Sequence, residues 1–249
     1  MENRTRVVIL AAGKGTRMKS DLPKVLALLN GKPMISYLLE AVRKSGVDPR
    51  PVIVVGYEKE KVMKTLGTGY DYAIQAEQLG TGHAVMSTEG MLKNNTDQVV
   101  VFYGDHPFIK PETIKNLVNT HLQSGRKINM GVVKVADFED WRAFFYTDSR
   151  LIRNENGNIV KDVQFRDASD EEKKTKEVNP CYFCFSADWL WQKLKILNTN
   201  NDQKQYYLTD LVKIAIEEKT EIGSVEIDPY EALGADSKEE LEMLEKLSK

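Results

Sequence analysis

Cysteine is scarce in this chain, with two among 249 residues. The pair, Cys181 and Cys184, has the C-x-x-C spacing that metal and redox sites use. Cys181-Tyr182-Phe183-Cys184-Phe185 reads as a strand, where residues three apart point to opposite faces and do not converge easily on one metal. With no second cysteine pair, two buried structural thiols are expected. Excess charge is missing too. Thirty-five Lys+Arg against 37 Asp+Glu leave a formal net charge of −2, which argues against a whole-protein role in binding nucleic acid or an anionic membrane. No stretch approaches the ~18 uninterrupted apolar residues of a membrane span. Met1-Glu2-Asn3-Arg4-Thr5-Arg6 runs into a short apolar segment and then charge, which is not a secretory leader. Few cysteines and no export signal make the cytoplasm the expected compartment. There is no internal repeat and no low-complexity linker.

What is present is a chain of 41% hydrophobic and 29% charged residues, long enough to bury a sizeable core. Its first half alternates strand and helix. Arg6–Leu10, Pro51–Val55, Tyr72–Ile74 and Gln98–Tyr103 read as strands. Met34–Ser45, Glu58–Leu66, Thr81–Leu92 and Pro111–Ser124 read as helices, the first opened by Pro33 and stopped by Gly46. Continuous apolar runs alternating with helices predict a mostly parallel sheet covered on both faces. The second half is more mixed. Ile128–Val135 and Glu177–Phe185 read as strands, and Arg150–Arg153 with Ile159–Phe165 flank an Asn-Gly hairpin turn. Asp167–Lys176 reads as a solvated loop or a short exposed helix. Helices are predicted at Ala187–Ile196 and Leu208–Glu218, and Ser237-Lys238-Glu239-Glu240 is a capping box before Leu241, Leu244 and Leu247. One α/β domain with a hairpin-bearing insertion is expected over residues 1–249.

The chemistry concentrates after the first strand. Leu10-Ala11-Ala12-Gly13-Lys14-Gly15-Thr16-Arg17-Met18 places small residues where backbone N–H groups can approach a polyphosphate. Arg17, Lys14 and Lys24 add charge-assisted contacts to phosphate oxygens. The spacing is neither G-x-x-x-x-G-K-[ST] nor G-x-G-x-x-G, so neither a kinase P-loop nor a dinucleotide-binding turn is present. A structural turn would also use glycine, but Pro23-Lys24-Val25-Leu26 follows, and few turns need so many cations beside small residues.

Leu-Ala-Ala-Gly-x-Gly-Thr-Arg-Met followed by Pro-Lys-Val-Leu resembles the signature of the sugar-1-phosphate nucleotidyltransferases. Three further segments narrow the resemblance: Gln75-Ala76-Glu77-Gln78-Leu79-Gly80-Thr81-Gly82-His83-Ala84, Tyr103-Gly104-Asp105-x-Pro107 and Gln205-Tyr206-Tyr207-Leu208-Thr209-Asp210. Together they resemble the uridyltransferase domain of the bifunctional N-acetylglucosamine-1-phosphate uridyltransferase/glucosamine-1-phosphate acetyltransferase family, over nearly the whole chain. The resemblance implies a Rossmann-like, glycosyltransferase-A-like α/β fold: a mixed, mostly parallel sheet with helices on both faces and a β-hairpin insertion. It implies a nucleotide-binding half of about residues 1–110 and a sugar-binding half of about 111–249. The chain ends at Lys249 without the hexapeptide repeats of that family's second domain, so no acetyl transfer is expected from it. Oligomeric state is left open.

The reaction implied is attack of a sugar-1-phosphate on the α-phosphorus of UTP, with pyrophosphate leaving. The attacking oxygen is already anionic, so positioning and electrostatic stabilisation are the tasks. The catalytic set implied is Arg17, Lys24, Asp105 and Asp236, with Mg²⁺ held by Asp105 and Asp236. Asp105 follows a strand at the end where open α/β sheets bind ligands. Asp236 stands where the bifunctional family usually has Asn and related nucleotidyltransferases have Asp, and either it or Ser237 would cap the last helix. The nucleotide would meet Leu10, Ala11, Ala12, Gly13, Gly15 and Thr16, and Gln75, Gln78, Gly80 and Thr81 would read uracil through carboxamides and a backbone amide. His83 is given a packing role.

For the sugar, the resemblance points to Tyr103, Gln164, Asn179 and Thr209. Three departures fall in this half. Thr147-Asp148-Ser149-Arg150 replaces the family's Gly-Tyr-Gly-Arg, Gln164 replaces a Glu that accepts from sugar hydroxyls, and Asn179-Pro180-Cys181 replaces Asn-Thr-Gly. The leading expectation is a UDP-sugar, foremost UDP-N-acetylglucosamine. The alternatives are the same chemistry on a modified amino-sugar 1-phosphate, or a non-catalytic protein that binds nucleotide-sugar.

Overall fold

The computed structural model of the protein describes residues 4–18, 22–201 and 203–248. Residues 1–3, at the start of the N-terminal segment read above, lie outside the described residues. Strand β1 (Thr5–Ala11) leads to a small hairpin, β2 (Leu28–Leu29) and β3 (Lys32–Pro33), and then to α1 (Met34–Ser45), β4 (Val52–Val55), α2 (Lys59–Leu66) and β5 (Asp71–Ile74). Next come α3 (Thr81–Met86), α4 (Glu89–Leu92), β6 (Gln98–Tyr103), α5 (Pro111–Ser124) and β7 (Ile128–Lys134). The hairpin strands β8 (Arg150–Arg153) and β9 (Ile159–Val163) follow, with α6 (Asp170–Lys173), β10 (Glu177–Val178) and β11 (Phe183–Ser186). The chain closes with α7 (Ala187–Leu194), α8 (Asp210–Glu217), β12 (Ile222–Ile227) and α9 (Lys238–Leu247).

The main sheet runs β5-β4-β1-β6-β11-β7-β10-β8-β9, with β12 alongside β7. It is mixed. β5, β4, β1 and β6 are parallel throughout, with Ile9 level with Ile53 on one side and Phe102 on the other. Antiparallel pairing begins where β11 joins β6 and β7. Alternation along β1 divides the core in two. Val7 and Ile9 pack with α1 and α5 on one face, while Val8 and Leu10 pack with α3, α7 and α8 on the other. A strand feeding both cores must be apolar at every position, which is why β1 reads as a continuous run. No helix among the described residues is long and apolar enough to cross a membrane.

Three of the differences from the sequence reading bear on the site or the sheet. The helix expected over Thr81–Leu92 breaks after Met86, because the Ser87 and Thr88 hydroxyls back-bond to the carbonyls of Ala84 (2.6 Å) and Val85 (2.8 Å). The strand expected over Glu177–Phe185 splits at Asn179-Pro180-Cys181. Pro180 has no N–H to give a ladder, and Cys181 takes φ +64°. Cys181 is therefore a half-buried turn residue, and only Cys184 is a buried strand thiol. β12, with no counterpart in the sequence reading, adds in parallel to β7 from Ile222↔Ile128 to Ile227↔Val133.

Candidate active site

The parallel strands β1, β4 and β6 end together, and their carboxyl ends open on one side of the sheet. Small residues let the segments beyond them crowd. Gly104 N donates to Leu10 O (2.9 Å) and Tyr57 N to Ala12 O (3.1 Å). A Cβ on Gly104 would stand 3.0 Å from Val25 Cγ1, and one on Gly56 would stand 2.7 Å from Gln78 Nε2. Leu10, Ala11 and Ala12 are buried, and the chain surfaces at Gly13 and Lys14. Lys14 lies over the Tyr57 ring, 5.4 Å from its centroid. Gly15, at φ +65°, lets the loop fold against the stem of Lys24, where a Cβ would collide. Thr16, Arg17 and Met18 form one 3₁₀ turn closed by Met18 N to Gly15 O (3.0 Å).

Lys24 is the hub. Its ammonium donates to Asp105 Oδ2 and, at 2.6 Å, to Asp236 Oδ1. The other oxygen of Asp236 pairs with Arg17 Nη2 at 2.7 Å. Burial alone would push the Lys24 ammonium down, but the two carboxylates outweigh it and hold it above lysine's ordinary range. Asp105 shows the reverse balance: burial pushes it up, and Lys24 brings it to below the usual carboxylate range. The C-terminal loop delivers Asp236. Ala235 N donates to Asp105 O (3.3 Å), and a Cβ on Gly234 would lie 2.6 Å from His106 Cδ2. Ser237 caps α9, its hydroxyl accepting from Glu240 N (3.2 Å), while Glu240 Oε2 accepts from Asp236 N (2.6 Å). The capping duty thus falls to Ser237, and the Asp236 carboxylate faces Lys24 and Arg17.

Gln75, Gln78, Gly80 and Thr81 also come together. Gln75 Nε2 donates to Gly80 O (2.9 Å) and lies 3.1 Å from His83 Nδ1. Gly80 sits at φ +108°, where a Cβ would stand 2.5 Å from Tyr206 O. Gly82 N donates to Tyr206 O and Tyr206 N to Leu79 O, both at 2.8 Å, and Leu208 N donates to Thr81 Oγ1 at 2.9 Å. These bonds place the turn carrying Thr209, N-terminal to α8, against the Gln75–Thr81 segment.

The Tyr103 hydroxyl lies by the Thr81 hydroxyl and the Cys181 thiol, and burial pushes its pKa well up. Asn179 is buried and donates from Nδ2 to Asp162 Oδ2 at 2.7 Å. Gln164 lies just past the end of β9, exposed, with its carbonyl accepting from Asp167 N (2.9 Å) and Ala168 N (3.0 Å). Two acids that the sequence reading did not single out stand here. Burial pushes Asp148 up to about 7 and Asp162 up to about 6. His106 was likewise missed. Tyr182 Oη donates to Glu231 O (2.9 Å) and so accepts from His106 Nδ1 (2.8 Å), and burial pushes this imidazole down. Nothing in spacing marks these three residues; only the fold gathers them.

Among the described residues no group of three or more His, Cys, Asp or Glu side chains is arranged to hold a metal. Asp105 and Asp236 do offer two hard carboxylates converging on one cation, the donor chemistry that Mg²⁺ takes together with phosphate oxygens and water.

The family model of the MobA-like NTP transferase domain matches residues 7–195. The chain belongs to this family. Among curated relatives it is 38% identical over 243 residues to the bifunctional protein GlmU of Caldicellulosiruptor saccharolyticus, which covers 97% of the chain and 51% of that protein. It is 40% identical over 242 residues to GlmU of Streptococcus mutans, covering 96% and 51%. The chain thus spans about half the length of the curated relatives it matches. Two solved structures share the fold of this MobA-like chain. One, from Bacillus anthracis and named as a glucose-1-phosphate thymidylyltransferase, has TM-score 0.78 and 17% identity, covering 98% of this chain and 95% of that one. The other, a CMP:2-keto-3-deoxy-manno-octonic acid synthetase complexed with CTP, has TM-score 0.71 and 14% identity, covering 99% and 98%.

Proposed function

We propose that this nucleotidyltransferase joins UTP to a sugar-1-phosphate, giving a UDP-sugar and pyrophosphate. The observation that carries the reading is the convergence of Asp105, Asp236 and Arg17 on or around Lys24, at the carboxyl ends of β1 and β6 beside a glycine-rich loop. Two polyanions must be brought together there, and the attacking phosphate oxygen needs no general base. Lys24 and Arg17 neutralise phosphate charge, and the loop from Leu10 to Thr16 presents its backbone amides. Asp105 and Asp236 would hold magnesium, which when bound offsets phosphate charge and polarises the phosphorus. Gln75, with its NH₂ held by Gly80 O and His83, turns its carbonyl end to the base, where the N3–H of uracil is a donor.

N-acetylglucosamine 1-phosphate is the sugar favoured by the likeness to GlmU. A second reading, the same chemistry on a different amino-sugar 1-phosphate, is favoured by Ser149, Gln164 and Pro180-Cys181 clustering in the sugar half. The test is pyrophosphate release from UTP, Mg²⁺ and a panel of sugar-1-phosphates. Release is expected with at least one of them, and the Asp105→Ala variant should lose at least about a thousandfold in turnover while melting cooperatively. UTP binding without release for any sugar would replace catalysis by a nucleotide-sugar-binding role.

A further inference from the structure

The sugar half contains a carboxylate oxygen with no donor. Asp162 lies on β9 opposite Leu151 of β8. Its Oδ2 accepts from Asn179 Nδ2, and Asn179 spends its own Oδ1 on Cys181 N at 2.8 Å. Asp162 Oδ1 is buried and no described residue lies within hydrogen-bond geometry of it; the Ser149 hydroxyl is close enough to lower the pKa of the same carboxyl without closing that bond. Nor does a described cation pair with Asp162. Arg150, on the neighbouring strand β8, commits its guanidinium to the carbonyls of Phe145 (3.3 Å), Tyr146 (2.8 Å) and Asp148 (2.5 Å), with a longer bond to Lys173 O (3.4 Å). Buried acceptors are almost always satisfied, so one that no described residue reaches is open to a partner from outside the chain.

The position is the right one for the sugar. Asn179 leads directly into Cys181, which is held at φ +64° with its thiol beside Tyr103. A non-glycine residue in that conformation is costly and is kept where the surroundings over-determine it. Asp162, Asn179, Cys181, Tyr103 and Thr81 therefore form a continuous line from the sugar half to the base-reading segment. Gln164, where the resembled family has its hydroxyl-accepting Glu, lies outside this line and exposed.

We propose that Asp162 is a specificity-determining residue: its free Oδ1 accepts a hydrogen bond from a donor on the sugar, a hydroxyl, an amide N–H or an ammonium, and supplies from two residues earlier in the chain the carboxylate that position 164 lacks. This inference rests on the uridylyltransferase reading. It commits the site to sugars that present such a donor, because a carboxylate offers no hydrogen to an acceptor.

The test is calorimetric titration of the full chain with UDP and with UDP-N-acetylglucosamine, UDP-glucosamine and UDP-glucose, in the parent, Asp162→Asn and Lys161→Gln proteins. Lys161 neighbours Asp162 on β9 and pairs outward with Glu172, so Lys161→Gln is a control for the strand. In Asp162→Asn the amide oxygen must stay with Asn179, which turns an NH₂ against the sugar donor. The parent should bind at least one UDP-sugar more tightly than UDP. In Asp162→Asn that advantage should fall roughly tenfold or more with UDP affinity kept within about twofold, which also reports an intact fold. Lys161→Gln should keep the advantage. A preference for UDP-glucosamine identifies the donor as an ammonium, a preference for UDP-N-acetylglucosamine as the amide N–H, and a preference for UDP-glucose as a hydroxyl. An advantage retained in Asp162→Asn, or absent from the parent for every sugar, overturns the inference while leaving the nucleotide reading standing. Absence of all UDP binding by the parent overturns both.

Discussion

Lys24 and Asp236 lie 212 residues apart in the chain and meet at 2.6 Å, Nζ to Oδ1. The contact ties the loop after β1 to the loop before α9, and Asp105 at the end of β6 completes it. One ammonium thus sits where two carboxylates converge, the same place a divalent ion needs. In the site as proposed, Asp105 and Asp236 would hold that ion, and Lys24 would have to release them and turn to phosphate oxygens instead.

Replacing Lys24 by Met keeps most of the stem and removes the charge. Turnover is expected to fall by about 10²–10³ through lost stabilisation of phosphate charge. In the absence of nucleotide, Mn²⁺ should bind more tightly than to the parent, because the carboxylates no longer hold an internal cation. Manganese titration followed by electron paramagnetic resonance reads this directly; unchanged or weaker Mn²⁺ affinity would argue that Lys24 and the metal do not share those carboxylates.

In the site as proposed, base choice would rest on Gln75. Its NH₂ is committed to Gly80 O at 2.9 Å and to His83 Nδ1 at 3.1 Å, which leaves a carbonyl for the base. Uracil brings a donor at N3 and cytosine a lone pair. UTP should therefore exceed CTP by at least about tenfold in kcat/KM, and His83→Ala, which frees the amide to turn, should narrow the gap. Equal rates with both nucleotides would count against this orientation of Gln75.

Much of this architecture was legible in the sequence, and the residues show why. β1 announced itself because it feeds two cores and is apolar throughout, and Gly46 and Gly125 mark the ends of α1 and α5 at φ 69° and 61°. Arg17, Lys24 and Asp105 could be singled out because they stand in segments that resemble the family's motifs, and the structure brings them together. Asp148, Asp162 and His106 were not. Their environment is made by Arg150 turning to backbone carbonyls, by Pro180 and Cys181 breaking a strand, and by Tyr182 bonding Glu231 O, all of which are long-range arrangements with no local pattern. Asp236 was half legible. Two adjacent residues competed for one cap, and only the bond from Glu240 N to the Ser237 hydroxyl assigns it.

Gly80 sits against the Tyr206 backbone, where the Gln75–Thr81 segment meets the turn before α8. At φ +108°, with Tyr206 O 2.5 Å from the position of a Cβ, Gly80→Ala meets both strain and a backbone clash. A loss of about 1–3 kcal/mol in unfolding free energy is expected, together with a raised KM for UTP. Denaturant melts and steady-state kinetics would show the pair of effects; a stability loss with KM unmoved would mean that this turn supports the fold without shaping the nucleotide site.

The half-buried Asp148 should leave a signature in stability against pH. Burial raises Asp148 to about 7, against about 3.9 in an unfolded chain. Between about pH 4 and 7 the folded protein then holds a proton that the unfolded chain has released. The folded state binds more protons, so the slope of unfolding free energy with pH is negative: this group's contribution is fully present below about pH 4 and is lost as pH rises through about 7. Asp148→Asn removes that loss. The gain in melting temperature of the variant over the parent should be small at pH 5 and grow to a plateau by about pH 8. Asp71, Asp97 and Glu172, all held low by cation partners, act in the opposite sense at more acid pH and cancel in the comparison, because both proteins carry them. A difference that stays flat across this range would show that Asp148 is ionised in the folded protein at no cost.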